Sequence, residues 1–199
     1  MIYTHLHCDL DGETSQERYA DTIFLGSIDR TPLCDTLFRS CGSSPSPAAG
    51  PFPSVSAFHD YLVQTALSNS QSRQGTLVAG SHSHHHYNPH HLFPPNVPIT
   101  FTHSALHPRN ILIFPSPHQP PKVVAILGWD QAGFYPSYWQ TFKAKWECTL
   151  SNGIADWQGE WLPRVLDLEK VEGEVKRAGW SLSALAEYWG YWVRMIVGR

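Results

Sequence analysis

The sequence predicts an α+β fold, a mostly helical body with a small β-hairpin inserted in it. Three observations carry that expectation. Apolar residues recur at helical spacing around residues 58–66, 138–146 and 185–196. Short apolar runs, partly β-branched, stand at 99–102, 111–114 and 123–127, and a Pro-Ser-Pro-His-Gln-Pro-Pro turn separates the last two. Stretches dense in Gly, Ser and Pro punctuate the rest.

Taken in order, residues 1–24 mix polarity with weak periodicity, and Tyr19, Ile23 and Phe24 fall on one helix face. Residues 26–53 read as an irregular loop. The passage Gly50-Pro-Phe-Pro-Ser-Val leads into a helix that Ser54 or Ser56 caps. Phe58, Tyr61, Leu62 and Ala66 line that helix through about residue 67. Residues 68–98 are low in complexity: Ser and Gln, then six histidines between His82 and His91, then prolines, together a solvated connection. Ile99–Thr102 predicts a strand that feeds a loop at 103–110, and the hairpin follows. A helix is expected after Pro136, a favoured first-turn residue, with Tyr138, Trp139, Phe142 and Trp146 on its buried side. Two more helices are expected at 160–178 and 181–197; Ser181 or Ser183 caps the last, and Leu185, Trp189, Trp192 and Ile196 form its stripe.

A chain of 199 residues fits one domain or a trimmed larger one, and 42% hydrophobic residues with eight Trp suffice for a sizeable core. A formal net charge of -3 and a pI near 6.4 argue against a nucleic-acid partner and against attraction to an anionic membrane. Cys8, Cys34, Cys41 and Cys148 lack the spacing of a zinc ribbon, and although Cys34 and Cys41 are close enough in sequence to pair, reduced thiols are expected. Asp9, Asp11 and Glu13 stand where a signal peptide needs an apolar run, and Glu187 and Arg194 interrupt the apolar stretch 181–198. A cytoplasmic location follows as the expectation.

Residues 101–113 read Phe-Thr-His-Ser-Ala-Leu-His-Pro-Arg-Asn-Ile-Leu-Ile. The stretch resembles the catalytic loop of aminoglycoside phosphotransferase-like and choline-kinase-like enzymes, especially their fungal branch, whose usual form is Phe-Thr-His-Gly-Asp-Leu-His-Pro-Arg-Asn-Ile-Leu-Val. His103, Leu106, His107, Pro108, Arg109, Asn110, Ile111 and Leu112 match that form. A second motif, Ala125-Ile-Leu-Gly-Trp-Asp-Gln-Ala-Gly-Phe-Tyr-Pro-Ser-Tyr-Trp139, is similar to the family's Ile-Ile-Asp-Trp-Glu-x-Ala-Gly-x-x-Pro-x-x-Trp. Gly26-Ser-Ile-Asp and Gly50-Pro-Phe-Pro-Ser-Val also look like family segments. The resemblance implies a protein-kinase-like C-terminal lobe over residues 25–199, preceded by a poorly defined segment at 1–24.

Phosphoryl transfer on that fold needs four parts: an Asp that takes the acceptor's proton, an Asn on the same loop for Mg²⁺, a second Asp that bridges metal to phosphates, and a Lys that clamps them. By the resemblance, Asn110 survives, the first Asp position is Ala105, and the metal Asp position is Gly128. No lysine precedes Lys122, so the family's N-lobe is expected to be largely absent. A methyl group takes no proton, which removes general-base help worth about 10²–10⁴-fold. An amide oxygen alone is a poor site for a hard cation. One rescue is Asp130, which in an extended chain points to the same side as position 128 but roughly 6–7 Å further along. The remnant catalytic residues are therefore His103, Asn110 and Asp130, and the remnant Mg²⁺ ligands are Asn110 and Asp130. The matching residues also have a scaffolding reading, with His103 buttressing backbone, Asn110 holding the loop and Arg109 pairing with an acidic group or staying solvated.

The expected function is that of a degenerate, catalytically silent family member acting through binding, with no cofactor and with a protein partner on the exposed cleft face. Two alternatives stand beside it. The chain is an active small-molecule phosphotransferase using ATP and Mg²⁺, or it binds Zn²⁺, Ni²⁺ or Cu²⁺ through His82, His84, His85, His86, His90 and His91. The Ser, Pro and Asn around those histidines supply little of the second-shell support that a specific metal site needs.

Overall fold

The aromatic and aliphatic stripes close on one another as two unequal cores beneath two small antiparallel sheets. A computed structural model describes residues 24–39, 48–74, 93–115, 117–119, 122–150, 159 and 162–197. The expectations for the helix face at 19–23, for the histidine run 82–91 and for Cys8 and Cys41 lie outside those residues; Cys34 is an exposed free thiol.

The fold is mixed α+β. In chain order the elements are strand β1 (Gly26–Ser27), helices α1 (Thr36–Arg39) and α2 (Val55–Gln74), strands β2 (Ile99–Thr102), β3 (Ile111–Phe114), β4 (Lys122–Ile126) and β5 (Gly133–Pro136), and helices α3 (Trp139–Leu150), α4 (Leu162–Val165), α5 (Leu168–Arg177) and α6 (Leu182–Val197). One sheet has the order β1-β5-β2, and β3 with β4 forms a separate two-stranded ribbon. Short 3₁₀ turns at Pro108–Asn110 and Trp129–Gln131 bracket that ribbon. Among the described residues no helix is long and apolar enough to cross a membrane.

Several expected boundaries move. Helix α2 continues past residue 67 to Gln74, with Ser68 Oγ donating to the Gln64 carbonyl at 2.9 Å, so the polar run 68–74 is helical. Its cap is Ser54, whose Oγ accepts from Ala57 N at 3.1 Å. The loop expected at 26–53 holds β1 and α1. Pro136 ends β5 instead of opening a helix. It pairs with Ile99 of β2, while β1 reaches only as far as Phe134, so the missing proline N–H deprives no second neighbour. Gly133 lets β1 approach, because a Cβ there would stand 2.6 Å from the Gly26 carbonyl oxygen. The helix expected at 160–178 is two, broken before Asp167, whose side chain accepts from Lys170 N at 2.9 Å and caps α5. Ser181 caps α6 through Ala184 N at 3.1 Å.

The larger core centres on Trp139, which is fully buried. Its ring stacks on Tyr135 at 5.3 Å and meets Phe58 at 5.2 Å and Trp189 at 4.5 Å edge-on. Such aromatic pairs add about 0.5–1.5 kcal/mol each beyond their buried area. Leu185, Trp189, Trp192 and Ile196 of α6 all face this core, and Trp192 Nε1 donates to the Leu62 carbonyl at 2.7 Å. The smaller core gathers Leu106, Ala144, Leu162 and Leu166 and supports the root of the ribbon at Ile111 and Ile126.

A charge pair lies inside the first core. Asp35 and Lys143 are both wholly buried, and Lys143 Nζ donates to Asp35 Oδ1. Lys143 also donates to Thr36 Oγ1 at 3.0 Å and to Gln131 Oε1 at 3.1 Å, so the ammonium has three oxygen partners at short range. Asp35 accepts from Leu37 N at 2.8 Å and from Trp139 Nε1 at 3.1 Å. Two ions this deep persist only when the remaining lone pairs and protons are satisfied, as they are here.

Two expected outcomes follow from this packing. Lys143→Met leaves the Asp35 carboxylate buried without its cation and is expected to cost about 3–5 kcal/mol. The double variant Asp35→Asn/Lys143→Met, which removes both charges, is expected to cost less than the single one in urea unfolding. A single variant as stable as the parent would show the pair to be dispensable. Separately, His59 is buried, its Nε2 sits 2.7 Å from Tyr138 Oη, and its ring stacks on Phe93 at 5.0 Å. Burial pushes its pKa down to about 3 from the ordinary 6.5. The unfolded chain therefore binds the extra proton first. The contribution of His59 is complete above pH 6.5 and is lost as pH falls toward 3, at up to about 1.4 kcal/mol per pH unit. Between pH 7 and pH 4.5, His59→Gln is expected to flatten this slope in urea titrations; an unchanged slope would refute the assignment.

Candidate functional site

The loop after β2 turns sharply because Ser104 takes a left-handed backbone, φ 62. A residue with a Cβ pays for that conformation with about 1–3 kcal/mol of strain. Its hydroxyl supplies the compensation: Ser104 Oγ donates to Asp35 Oδ2 and accepts from Trp139 Nε1 at 3.1 Å. Ser104 N donates to Gln140 Oε1 at 3.0 Å. The loop is thus pinned to the buried ion pair at its first turn. Ser104 itself has no exposure, so its hydroxyl is an anchor and offers no nucleophile to solvent.

His103 spans the two motifs. Its Nε2 lies 2.9 Å from the Leu127 carbonyl, and its Nδ1 accepts from Ala105 N at 3.1 Å. Those partners assign the neutral Nε2–H tautomer. Burial lowers its pKa, while the Leu127 carbonyl and the Asp130 charge pull the other way. Asn110 completes the clasp: its Nδ2 donates to the Ala105 carbonyl at 2.7 Å, its N donates to the His107 carbonyl at 2.8 Å, and its own carbonyl accepts from Leu127 N at 2.7 Å. His107 Nδ1 accepts from Arg109 N at 3.2 Å, capping the turn, and burial with the Arg109 charge lowers its pKa. Arg109 is exposed.

At the second motif, Gly128 is left-handed, φ 78 and ψ 45. A Cβ there would stand 2.8 Å from Asn110 Nδ2 and 3.1 Å from Asn110 Cγ. The Asn110 side chain thus occupies the space that a side chain at 128 would enter. The extended geometry expected for Asp130 is corrected: Gly128 opens a 3₁₀ turn, so residues 128–130 do not run as a strand, and Asp130 is exposed on that turn. Trp129 is half exposed. It stacks on Phe101 at 6.0 Å, meets the His103 ring at 4.4 Å, and donates from Nε1 to the Ile126 carbonyl at 2.7 Å. Among the described residues no three of His, Cys, Asp or Glu come together as a metal site.

Comparison with family models, curated proteins and solved structures finds no match to this chain.

The residues of the two motifs are thus brought together: His103 ties Ala105 to Leu127, and Asn110 touches both Ala105 and the Gly128 position. Asp35, Gln131, Gln140 and Lys143 were not anticipated as parts of the site. One signal for Lys143 was available, since a lysine four residues after Trp139 falls on the apolar stripe of α3, where an ammonium needs a buried acid. Asp35 sits in an aperiodic loop and gives no such signal.

Gly128→Asp is expected to lose about 1–3 kcal/mol, because it adds a left-handed non-glycine residue and displaces Asn110. Urea unfolding checks this, and a variant with parental stability would show that the Asn110 side chain yields without penalty.

Proposed function

We propose that this chain is a protein-kinase-like C-lobe of the aminoglycoside phosphotransferase-like kind that has lost phosphoryl transfer and acts by binding a protein through its cleft-side face. The observation that carries this reading is the use made of the loop. Ala105 provides no carboxylate, and the amide of Asn110 is engaged on the Ala105 carbonyl and packs over Gly128, where a metal-bridging carboxylate would have to enter. His103 has both ring nitrogens on backbone, so it supports the loop and offers no free base. His103 and Asn110 are thus both engaged within the protein, while His107 Nε2 is buried without a hydrogen-bond partner among the described residues, and Arg109 and Asp130 are exposed. What the site retains is shape: a rigid loop beside an exposed apolar surface at Phe101, Leu127 and Trp129.

The expected outcome is no change in thermal unfolding temperature on adding ATP with Mg²⁺, and no transfer of labelled phosphate to small hydroxyl- or amine-bearing acceptors. Phosphate transfer that weakens in Asn110→Ala and Asp130→Ala would overturn the reading.

A further inference from the structure

We draw no further inference here: the strongest candidate, the exposed apolar side chains of Leu112, Ile113, Phe114, Val123 and Val124 on the two faces of the β3–β4 ribbon, carries none, because nothing in the structure shows what covers them.

Discussion

The contact between Lys143 and Asp35 is the constraint on which the other features hang. Asp35 is held by partners 69, 104 and 108 residues further along the chain: Ser104 of the loop, Trp139 of the aromatic core and Lys143 of α3. Through Thr36 and Gln131 the same node reaches α1 and the turn before β5. A carboxylate with so many donors fixes the relative positions of a loop, a helix and a sheet with a directionality that apolar packing lacks. Its net contribution to stability is small beside the cost of removing either ion alone. Its role is therefore better described as specifying one arrangement of the core. Glu147, one turn beyond Lys143 at 3.5 Å, adds a second acid, whose pKa burial raises and the ammonium opposes.

That node explains how the loop keeps its form. Ser104 holds a strained backbone angle because its hydroxyl is locked onto Asp35, and the strained turn delivers His103 and Asn110 to their backbone partners. The two histidines of the loop are both shifted toward the neutral form by burial, which suits rings that serve as hydrogen-bond spacers. The side chains of Ser104, His103 and Asn110 are all hydrogen-bonded within the protein, whereas His107 Nε2 is buried without a partner among the described residues.

Helical periodicity made the body of this fold legible. The stripes at Phe58–Ala66 and Leu185–Ile196 are buried as their spacing implies, because side chains at i, i+3 and i+4 share a face. The ribbon was legible from its β-branched runs. Strand β5 was not, since Gly-Phe-Tyr-Pro carries a glycine and a proline that argue against a strand, and only its pairing to β1 and β2 gives it that form. The end of α2 was hidden by a polar Ser/Gln run whose helicity local composition does not betray. At the site, the motif residues His103 and Asn110 could be named from sequence, but their partners are backbone atoms, and no residue type encodes those. Asp35 gave least notice, because its environment is assembled from segments that are near only after folding.

The packing of Asn110 over Gly128 couples two positions that are distant in sequence. A carboxylate at 128 requires the Asn110 amide to move, and that amide holds the Ala105 carbonyl. A single substitution at either place therefore disturbs the loop. A side chain at 128 is expected only together with a change at 110, so the two positions constrain each other as a pair.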